Sequence, residues 1–291
     1  MEVSEVSFRI IADLLEARTG QQLTRNRQWR IGTALAGVFR EHGISNVDQL
    51  VCLLADPASG SLAQQVVEAL LNNETYFYRD RSVFELLDRR ILPALAEKRA
   101  RSKRLSIWSA GCSTGQEALS LAMIFAGQPN KWDGWNIDIV GTDISEQAVK
   151  AAQQGVYTQF EIQRGLGVGQ MISHFKETDR GWQASDKLKR MIRFKQKSIL
   201  EPSTSIQRFD LVLCRNVLLY FGPRARMQAF DRLAEQMCDD GWLMLGAGET
   251  TVGRTDIFRP TAGNQGLFIR SSAADTMHIA DPSTPFVRRR G

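Results

Sequence analysis

The 291-residue sequence is poor in the residues that build metal centres and disulfide frameworks. It has four cysteines and three histidines; the cysteines are widely spaced, and none forms a C-x-x-C pair or completes a metal-binding spacing with histidine. Structural zinc sites and disulfide-rich domains need closely spaced ligands. We therefore expect reduced thiols and no metal.

Long apolar runs are also missing. No stretch approaches the ~20 consecutive apolar residues that cross a bilayer, and the opening MEVSEVSFRI lacks a basic segment followed by an apolar run. We expect a cytoplasmic protein that does not insert into a membrane. With 43% apolar and 24% charged residues, the chain can form a real core, which excludes disorder for most of it and favours one large domain plus a smaller one.

The net charge of +5 is mild but unevenly distributed. Residues 79–104 carry nine Lys or Arg against four acids, and residues 187–197 carry six bases and no acid. Such patches favour an acidic partner, although two solvated surfaces that only keep the protein soluble would look the same. Nothing in the pattern requires nucleic acid, and we expect no nucleic-acid partner.

The spacing of apolar residues and the positions of glycines divide the chain into segments. Apolar spacings of three and four predict a small helical domain over residues 1–74, followed by a linker helix over 75–104. Residues 105–271 predict a second domain, within which 157–193 form a glycine-containing substructure with a hairpin at KETDRGWQAS. Residues 272–291 predict a flexible basic tail.

Short apolar runs alternate with helical stretches from residue 105 onward, as in LSIWS, ALSLAMIFA, IDIVGTD and SEQAVKAAQ. This alternation predicts an α/β fold with a parallel, Rossmann-like sheet and helices on both faces. The later strands are predicted at residues 193–195, 209–214, 242–245 and 266–270.

The segment WSAGCSTGQE, residues 108–117, follows a predicted strand and opens a helix. Glycines at this position let the backbone approach a nucleotide-like ligand, so Gly111 and Gly115 are candidate cofactor contacts, with Glu117 beside them in the first helical turn. The alternative is a tight strand-to-helix turn without a ligand. Neither G-x-G-x-x-G nor G-x-x-x-x-G-K-[ST] is present, which argues against a phosphate-binding loop.

Asp143 ends the next predicted strand. A carboxylate there can accept hydrogen bonds from both ribose hydroxyls of an adenosyl group, although it could also only cap the following helix. Glycine turn, strand and strand-end aspartate together predict either a dinucleotide site or an S-adenosylmethionine site.

Two further segments carry polar groups. FDLVLCRNVLLYF, residues 209–221, places Arg215, Asn216 and Tyr220 after a strand, where they would border the reacting group. The alternative makes Asn216 a turn residue and Tyr220 a core aromatic. NNETYFYRD, residues 72–80, is by its pattern alone a helix cap or an interdomain contact.

These four segments, in this order, resemble the motifs of the CheR family of chemotaxis methyltransferases. The similarity extends over residues 23–270 and includes DGWLMLGAGE and a final GLFIR strand. The resemblance implies a small helical N-terminal domain and an S-adenosylmethionine-dependent methyltransferase domain with a small antiparallel β-subdomain. The chain departs from the family's usual Asn-Leu at Ser198-Ile199 and from its usual Glu-Glu at Gln116-Glu117.

Carried over by position, the resemblance implies residues that contact S-adenosylmethionine, with S-adenosylhomocysteine as the product: Asn73, Thr75, Arg79, Glu117, Asp143, Ser198, Ile199, Arg215 and Asn216. Arg79 and Tyr220 would stand near the reaction centre and orient the acceptor. The acceptors implied are glutamate side chains of methyl-accepting chemotaxis receptors, and glutamate needs no catalytic base because it is already ionised at pH 7. His42, His174 and His278 all lie outside the motifs.

Several alternatives stay open at this stage. A nicotinamide-dependent oxidoreductase, a non-catalytic S-adenosylmethionine-binding sensor or scaffold, and an RNA methyltransferase would use the same kind of sheet. Arg25, Arg27 and Arg30 fall within two turns of one predicted helix and form either a receptor-docking face or an ordinary exposed face. Some members of the family bind a pentapeptide at the receptor's C-terminus through the β-subdomain, which the sequence does not decide here. We expect a monomer.

Overall fold

The computed structural model describes residues 3–203, 206–261 and 266–271. The predicted flexible tail, residues 272–291, lies outside the described residues.

The N-terminal segment is a bundle of short helices, as predicted. Ser4 caps the first helix by accepting a hydrogen bond from the Ser7 backbone N–H, and Gly20, with φ 75°, ends it. Gly43, with φ 64°, ends another. Apolar side chains such as Ile11 and Leu50 are fully buried between the helices. The helices are α1 (Glu5–Thr19), α2 (Arg30–Ala34), α3 (Ala36–His42), α4 (Val47–Leu54) and α5 (Gly60–Leu70), with a 3₁₀ turn at Arg25–Arg27.

The linker is helical over only part of its predicted length. Residues 72–80 form no helix, and both Tyr78 and Asp80 adopt positive φ angles. The chain then forms α6 (Arg81–Leu86), a π-helical turn (Leu87–Ile91) and α7 (Leu92–Lys98). The non-helical part is the segment that reaches the candidate site.

The second domain is the predicted α/β domain. Its strands are β1 (Arg104–Ala110), β2 (Asn136–Asp143), β3 (Val156–Tyr157), β4 (Phe175–Thr178), β5 (Gly181–Ala184), β6 (Ile192–Gln196), β7 (Phe209–Cys214), β8 (Met237–Leu245), β9 (Phe258–Pro260) and β10 (Leu267–Arg270). Its helices are α8 (Gln116–Ala126), α9 (Glu146–Gln154), α10 (Gln159–Gln163), α11 (Val168–His174), α12 (Asp186–Lys189) and α13 (Pro223–Glu235), with a 3₁₀ turn at Leu218–Tyr220.

The seven-stranded sheet has the order β6-β2-β1-β7-β8-β10-β9. Its first five strands are parallel, and β10 and β9 complete it in antiparallel fashion. All four later strands predicted from the sequence are present. β9 was not predicted. No helix of the described residues is long and apolar enough to span a bilayer.

A second sheet of three antiparallel strands, in the order β3-β5-β4, packs beside the large sheet. The hairpin predicted from KETDRGWQAS is its β4–β5 pair. Phe77 from the linker contacts Tyr157 and Phe175 of this small sheet edge to face, with ring centroids 5.0 and 5.4 Å apart. Linker and small sheet are therefore one packed unit.

The carboxyl ends of β1, β2 and β7 meet at the edge of the large sheet that faces the helical bundle. An isolated antiparallel bridge between Gln21 and Phe221 joins the bundle directly to the chain after β7. Next to this bridge, Gly20 packs closely against the second domain, because a Cβ there would lie 2.5 Å from Leu200 Cδ1. The bundle thus covers the sheet edge where the sequence predicts the site.

Candidate active site

A cavity of about 820 Å³, including its mouth, lies at the carboxyl ends of β1, β2, β6 and β7. Its walls come from the bundle, the linker and the four strand ends. The lining residues are Thr19, Gln21, Leu71, Asn72, Asn73, Glu74, Thr75, Arg79, Gly111, Cys112, Ser113, Glu117, Asp143, Ile144, Lys197, Ser198, Ile199, Arg215, Asn216, Val217, Tyr220 and Phe221.

The structure brings together every predicted cofactor residue except Gly115, and Tyr220 joins them. Gly115 is the N-cap residue of α8, with φ 95°, and lies outside the lining. A Cβ there would lie 3.0 Å from both Ala152 Cβ and Phe194 Cζ. The missing side chain of Gly115 therefore lets the start of α8 pack closely against α9 and β6.

Gly111 makes the turn after β1 with φ 80°. A Cβ at this position would lie 2.4 Å from Val217 Cγ2, which is closer than any real contact. Glycine is thus required twice, for the backbone conformation and for the approach of the chain that follows β7.

Asp143 ends β2 with its side chain buried beside the cavity. One carboxylate oxygen accepts a hydrogen bond from the Ser113 backbone N–H at 2.8 Å, and the other accepts one from the Ser145 backbone N–H at 3.0 Å. Burial raises the pKa of Asp143, and these hydrogen bonds oppose the rise. A carboxylate has about four acceptor positions, so Asp143 keeps acceptor capacity for two adjacent hydroxyls.

Arg215 is buried between two acids. Its Nη1 donates to Glu117 at 3.0 Å, and its Nη2 donates to Asp80 at 2.6 Å and to the Arg79 carbonyl at 2.8 Å. Its side chain is 1% exposed. Glu117 also accepts a hydrogen bond from the Ser109 hydroxyl at 2.7 Å. Of these two acids, Glu117 lines the cavity and Asp80 does not.

Asn216 follows Arg215 with φ 60°, the left-handed conformation that asparagine tolerates. Its backbone N–H donates to the Glu249 carboxylate at 2.7 Å. Its side-chain oxygen is buried without a hydrogen-bond partner in the described part of the chain. Since buried polar atoms are almost always paired, this orphan acceptor beside a cavity fits a bound ligand that donates a hydrogen bond.

Tyr220 connects the site to the bundle. Its hydroxyl accepts a hydrogen bond from the Asn72 side-chain amide, and the Gln22 backbone N–H donates to its carbonyl at 2.7 Å. The Arg27 guanidinium lies over its ring, 4.6 Å from the centroid. The bundle therefore shapes the position of Tyr220.

The prediction that Arg25, Arg27 and Arg30 share one helix is wrong. Arg25 and Arg27 lie in the 3₁₀ turn, and Arg30 begins α2. Arg25 pairs with Glu5, while Arg27 stacks on Tyr220. The three arginines therefore do not form one helical face.

Several lining or supporting residues were not singled out from the sequence: Thr19, Gln21, Asn72, Ser113, Lys197 and Glu249. Asn72 and Glu249 lie inside segments that were noted, NNETYFYRD and DGWLMLGAGE. Thr19 and Gln21 had no local signal, since only docking of the bundle places them at the cavity.

The lining fits S-adenosylmethionine. Asp143 has acceptor capacity for ribose hydroxyls, and Asn216 has an unpaired acceptor. Glu117 places a carboxylate in the lining, which suits a positively charged methionine end. Among the described residues, no cluster of three or more His, Cys, Asp or Glu side chains could hold a metal ion.

Comparison with known proteins agrees with this geometry. Residues 73–267 match the family model described as "CheR methyltransferase, SAM binding domain". The chemotaxis protein methyltransferase 1 of Pseudomonas aeruginosa is 30% identical over 279 residues, covering 93% of this chain and 100% of that protein. The protein of the same name from Vibrio cholerae is 28% identical over 271 residues, covering 92% and 98%.

Among solved structures, the CcbJ methyltransferase of Streptomyces caelestis is 13% identical, with a TM-score of 0.32 over 48% of this chain and 44% of that one. A likeness of this size supports no conclusion. The oxidoreductase and scaffold alternatives receive no support from the family match. The match covers more than half of the chain, and the chain therefore belongs to the CheR methyltransferase family, which uses S-adenosylmethionine as methyl donor.

Proposed function

We propose that the protein transfers the methyl group of S-adenosylmethionine to glutamate side-chain carboxylates of methyl-accepting chemotaxis receptors, forming glutamate methyl esters. The family membership supports methyl transfer in chemotaxis, and the chemistry of the cavity supports a carboxylate acceptor. The cofactor and reaction-centre roles given to individual residues below are part of this proposal.

S-adenosylmethionine, when bound, supplies an electrophilic methyl group on a positively charged sulfur. Asp143 would accept the ribose hydroxyls with its free acceptor positions. Asn216 would accept a hydrogen bond with its unpaired oxygen. Asn73, Thr75, Ser198 and Ile199 complete the lining around them.

The Glu117 carboxylate, held by Arg215, would face the methionine end. A carboxylate at this position favours an ammonium group close by. Arg215 holds Glu117 through a hydrogen bond at 3.0 Å and is itself held by Asp80, outside the lining, at 2.6 Å. Its burial makes this arrangement rigid.

Arg79 and Tyr220 would orient the acceptor. The Arg79 Nη1 donates to the Glu74 carbonyl at 2.8 Å, which anchors the guanidinium at the cavity wall. The Tyr220 hydroxyl is fixed by Asn72. A guanidinium can bind a carboxylate through paired N–H groups, and alignment of acceptor and methyl group lowers the barrier by removing the entropy cost of positioning.

The composition of the lining carries the proposal. It contains no histidine among the described residues, and a glutamate acceptor, with an ordinary pKa of about 4.3, needs no proton removed at pH 7. In the transfer a carboxylate oxygen bonds to the methyl carbon as the carbon–sulfur bond breaks. An anion and a cation become a neutral ester and a neutral thioether, so a site of low polarity favours the step. An amine or hydroxyl acceptor would have to lose a proton to a base, and the acids of the lining, Glu74, Glu117 and Asp143, are already engaged in hydrogen bonds within the protein.

The basic segments predicted to attract an acidic partner are partly used inside the protein. Arg99 pairs with Asp210 and Asp240, and Arg193 pairs with Asp138. Receptor helices rich in glutamate would meet the remaining positive side chains. Binding of a receptor pentapeptide by the β3–β5 sheet stays a prediction.

The test uses methyl-labelled S-adenosylmethionine, the purified protein and membranes containing chemoreceptors. We expect label on receptor glutamates that mild alkali releases as methanol, since esters are base-labile. The Asp143→Lys variant should leave receptors unlabelled. Alkali-stable label, or label on RNA with none on receptors, would contradict the proposal.

A further inference from the structure

Glu68 is a buried acid of the helical bundle that reaches into the second domain. It lies near the end of α5 and is 8% exposed. One carboxylate oxygen accepts a hydrogen bond from the Ser145 hydroxyl at 2.6 Å, and the other accepts one from the Glu146 backbone N–H at 2.8 Å. No lysine or arginine of the described residues forms an ion pair with it.

Both donors lie at the start of α9, where backbone N–H groups are unsatisfied and the helix dipole favours a negative charge. Ser145 is already the N-cap of α9, with its hydroxyl oxygen accepting from the Ala148 backbone N–H at 3.0 Å. Glu68 thus adds a second cap from another domain. A buried carboxylate without a cation is costly unless hydrogen bonds hold it, so this contact has a defined geometry.

Ser145 connects Glu68 to the cavity through hydrogen bonds to two lining residues. Its backbone N–H donates to Asp143 at 3.0 Å, and its hydroxyl lies 3.4 Å from the Asn73 side-chain nitrogen. Asp143 and Asn73 both line the cavity, whereas Glu68 and Ser145 do not. Glu68 can therefore act on a ligand in the cavity through the hydrogen bonds of Ser145, and, besides burial, its charge also raises the pKa of Asp143. The two routes differ in whether they need the Ser145 hydroxyl.

Ser113, in the turn after β1, binds the same two lining residues, Asp143 and Asn73. Ser113 donates its backbone N–H to Asp143 at 2.8 Å and its hydroxyl to the Asn73 carbonyl at 2.7 Å. Asp143 is consequently held from both sides, by the turn after β1 and by the start of α9. Only the second of these supports reaches back to the helical bundle.

We propose that Glu68 is a positioning residue of the methyl-donor site, which holds Asp143 in its ligand-binding orientation through Ser145. The inference rests on the role that the proposed function gives to Asp143. It makes the helical bundle a working part of the donor site, in addition to any role in receptor docking.

The experiment is a double-mutant cycle read by calorimetric titration with S-adenosylhomocysteine. Glu68→Gln keeps the size of the side chain but removes the charge, and Ser145→Ala removes the hydroxyl that links it to the cavity. We expect Glu68→Gln alone to weaken binding about tenfold. In the Ser145→Ala background the same change should alter the Kd by less than about twofold, because its route is already broken.

Asp13→Asn is the matched control, since Asp13 is an exposed acid of the same bundle. It should leave the Kd unchanged. A Glu68→Gln protein that melts earlier but binds with the wild-type Kd would show a purely structural role and overturn the inference. An equal loss in both backgrounds would also overturn it, since the effect would not pass through Ser145.

Failure of the proposed function would look different. Wild-type protein that does not bind S-adenosylhomocysteine, or an Asp143→Asn variant that binds it as tightly as wild type, would refute the donor site itself and the inference with it. If Glu68→Gln does not fold, Ser145→Ala alone tests the same route. It must weaken binding by itself, or the inference fails.

Discussion

The Glu249 carboxylate holds the backbone of Asn216 in place at the cavity wall. It accepts hydrogen bonds from the backbone N–H groups of Asn216 at 2.7 Å, Val217 at 3.0 Å, Leu219 at 3.1 Å and Gly246 at 2.8 Å. One side chain thereby fixes the chain between the strand-end Arg215 and the 3₁₀ turn that carries Tyr220. Glu249 itself lies outside the cavity lining.

Glu249→Gln should therefore damage catalysis without removing any group from the cavity. The amide places an NH₂ against backbone donors and leaves some of them unpaired, at a cost of about 1–3 kcal/mol. We expect kcat/KM for receptor methylation to fall at least about tenfold, as measured by initial rates. Asp231→Asn, at an exposed site on α13, is the control. Wild-type kinetics in the Glu249 variant would show that the loop holds its shape without the carboxylate.

Tyr220→Phe should impair orientation of the acceptor and leave binding of the methyl donor nearly unchanged. The change removes the hydroxyl that Asn72 holds and leaves the ring under Arg27. We expect kcat to fall about tenfold, the size of one lost hydrogen bond in the transition state, while the Kd for S-adenosylhomocysteine stays within about twofold. Tyr78→Phe, whose hydroxyl bonds Gln170 outside the cavity, should change neither. A larger effect on the Kd than on kcat would place Tyr220 on the donor side.

The pH dependence of donor binding should report Asp143. Burial raises the pKa of this carboxyl, so S-adenosylhomocysteine affinity should begin to fall at a higher pH than an ordinary aspartate would cause, because a protonated carboxyl accepts fewer hydrogen bonds. The raised pKa has the opposite effect on the folding stability of the ligand-free protein. The raised pKa stabilises the ligand-free protein at low pH, and this contribution is lost as the pH rises through that pKa. Calorimetry across pH checks the first effect, and Asp143→Asn should bind weakly and abolish its pH dependence.

Gly111→Ala and Gly43→Ala form a matched pair. Both glycines have positive φ, but a Cβ at Gly43 meets nothing within 4 Å, whereas one at Gly111 meets Val217 at 2.4 Å. Gly43→Ala should cost about 1 kcal/mol of folding free energy, the price of the backbone conformation alone, and leave donor binding intact. Gly111→Ala should cost more and weaken S-adenosylhomocysteine binding. Adding Val217→Ala should recover part of that loss, and no recovery would show that the clash is not the cause.

Arg99 should affect stability without affecting the site. Its guanidinium donates to Asp210 at 2.7 Å and to Asp240 at 2.9 Å, and Asp210 is buried. Arg99→Met leaves that acid without its cation, and we expect a loss of about 2–3 kcal/mol in urea unfolding with an unchanged Kd for S-adenosylhomocysteine. Arg25→Met, which breaks an exposed pair, should cost less than about 1 kcal/mol.

The same variant carries a pH signature. Arg99 lowers the pKa of Asp240, so the wild-type pair contributes stability above the ordinary carboxyl pKa and loses it as the pH falls through the lowered one. Arg99→Met should flatten this acid-side decline. An unchanged decline would mean that Asp240 is not stabilised by Arg99 in solution.

Local pattern predicted the strands of the large sheet well and its irregular parts poorly. The apolar run at Phe209–Cys214 is a strand buried along its whole length, as its composition indicates. β9 escaped prediction because three residues are too few to show an alternating pattern. It also ends in a proline, which cannot donate a hydrogen bond to a neighbouring strand. The π-helical turn at Leu87–Ile91 and the 3₁₀ turn at Arg25–Arg27 also escaped prediction, because five and three residues are too few to show a period of their own.

The sequence by itself determined the α/β order and the strand-end positions of Gly111, Asp143 and Arg215, because side-chain period and turn residues act between neighbours in the chain. Only the tertiary structure decided which segment covers the cavity. Contacts such as Gln21 with Phe221, or Glu68 with Ser145, join residues far apart in the chain. A pattern shows that a helix has a face to bury, but shape and polar complementarity with a distant partner decide what buries it.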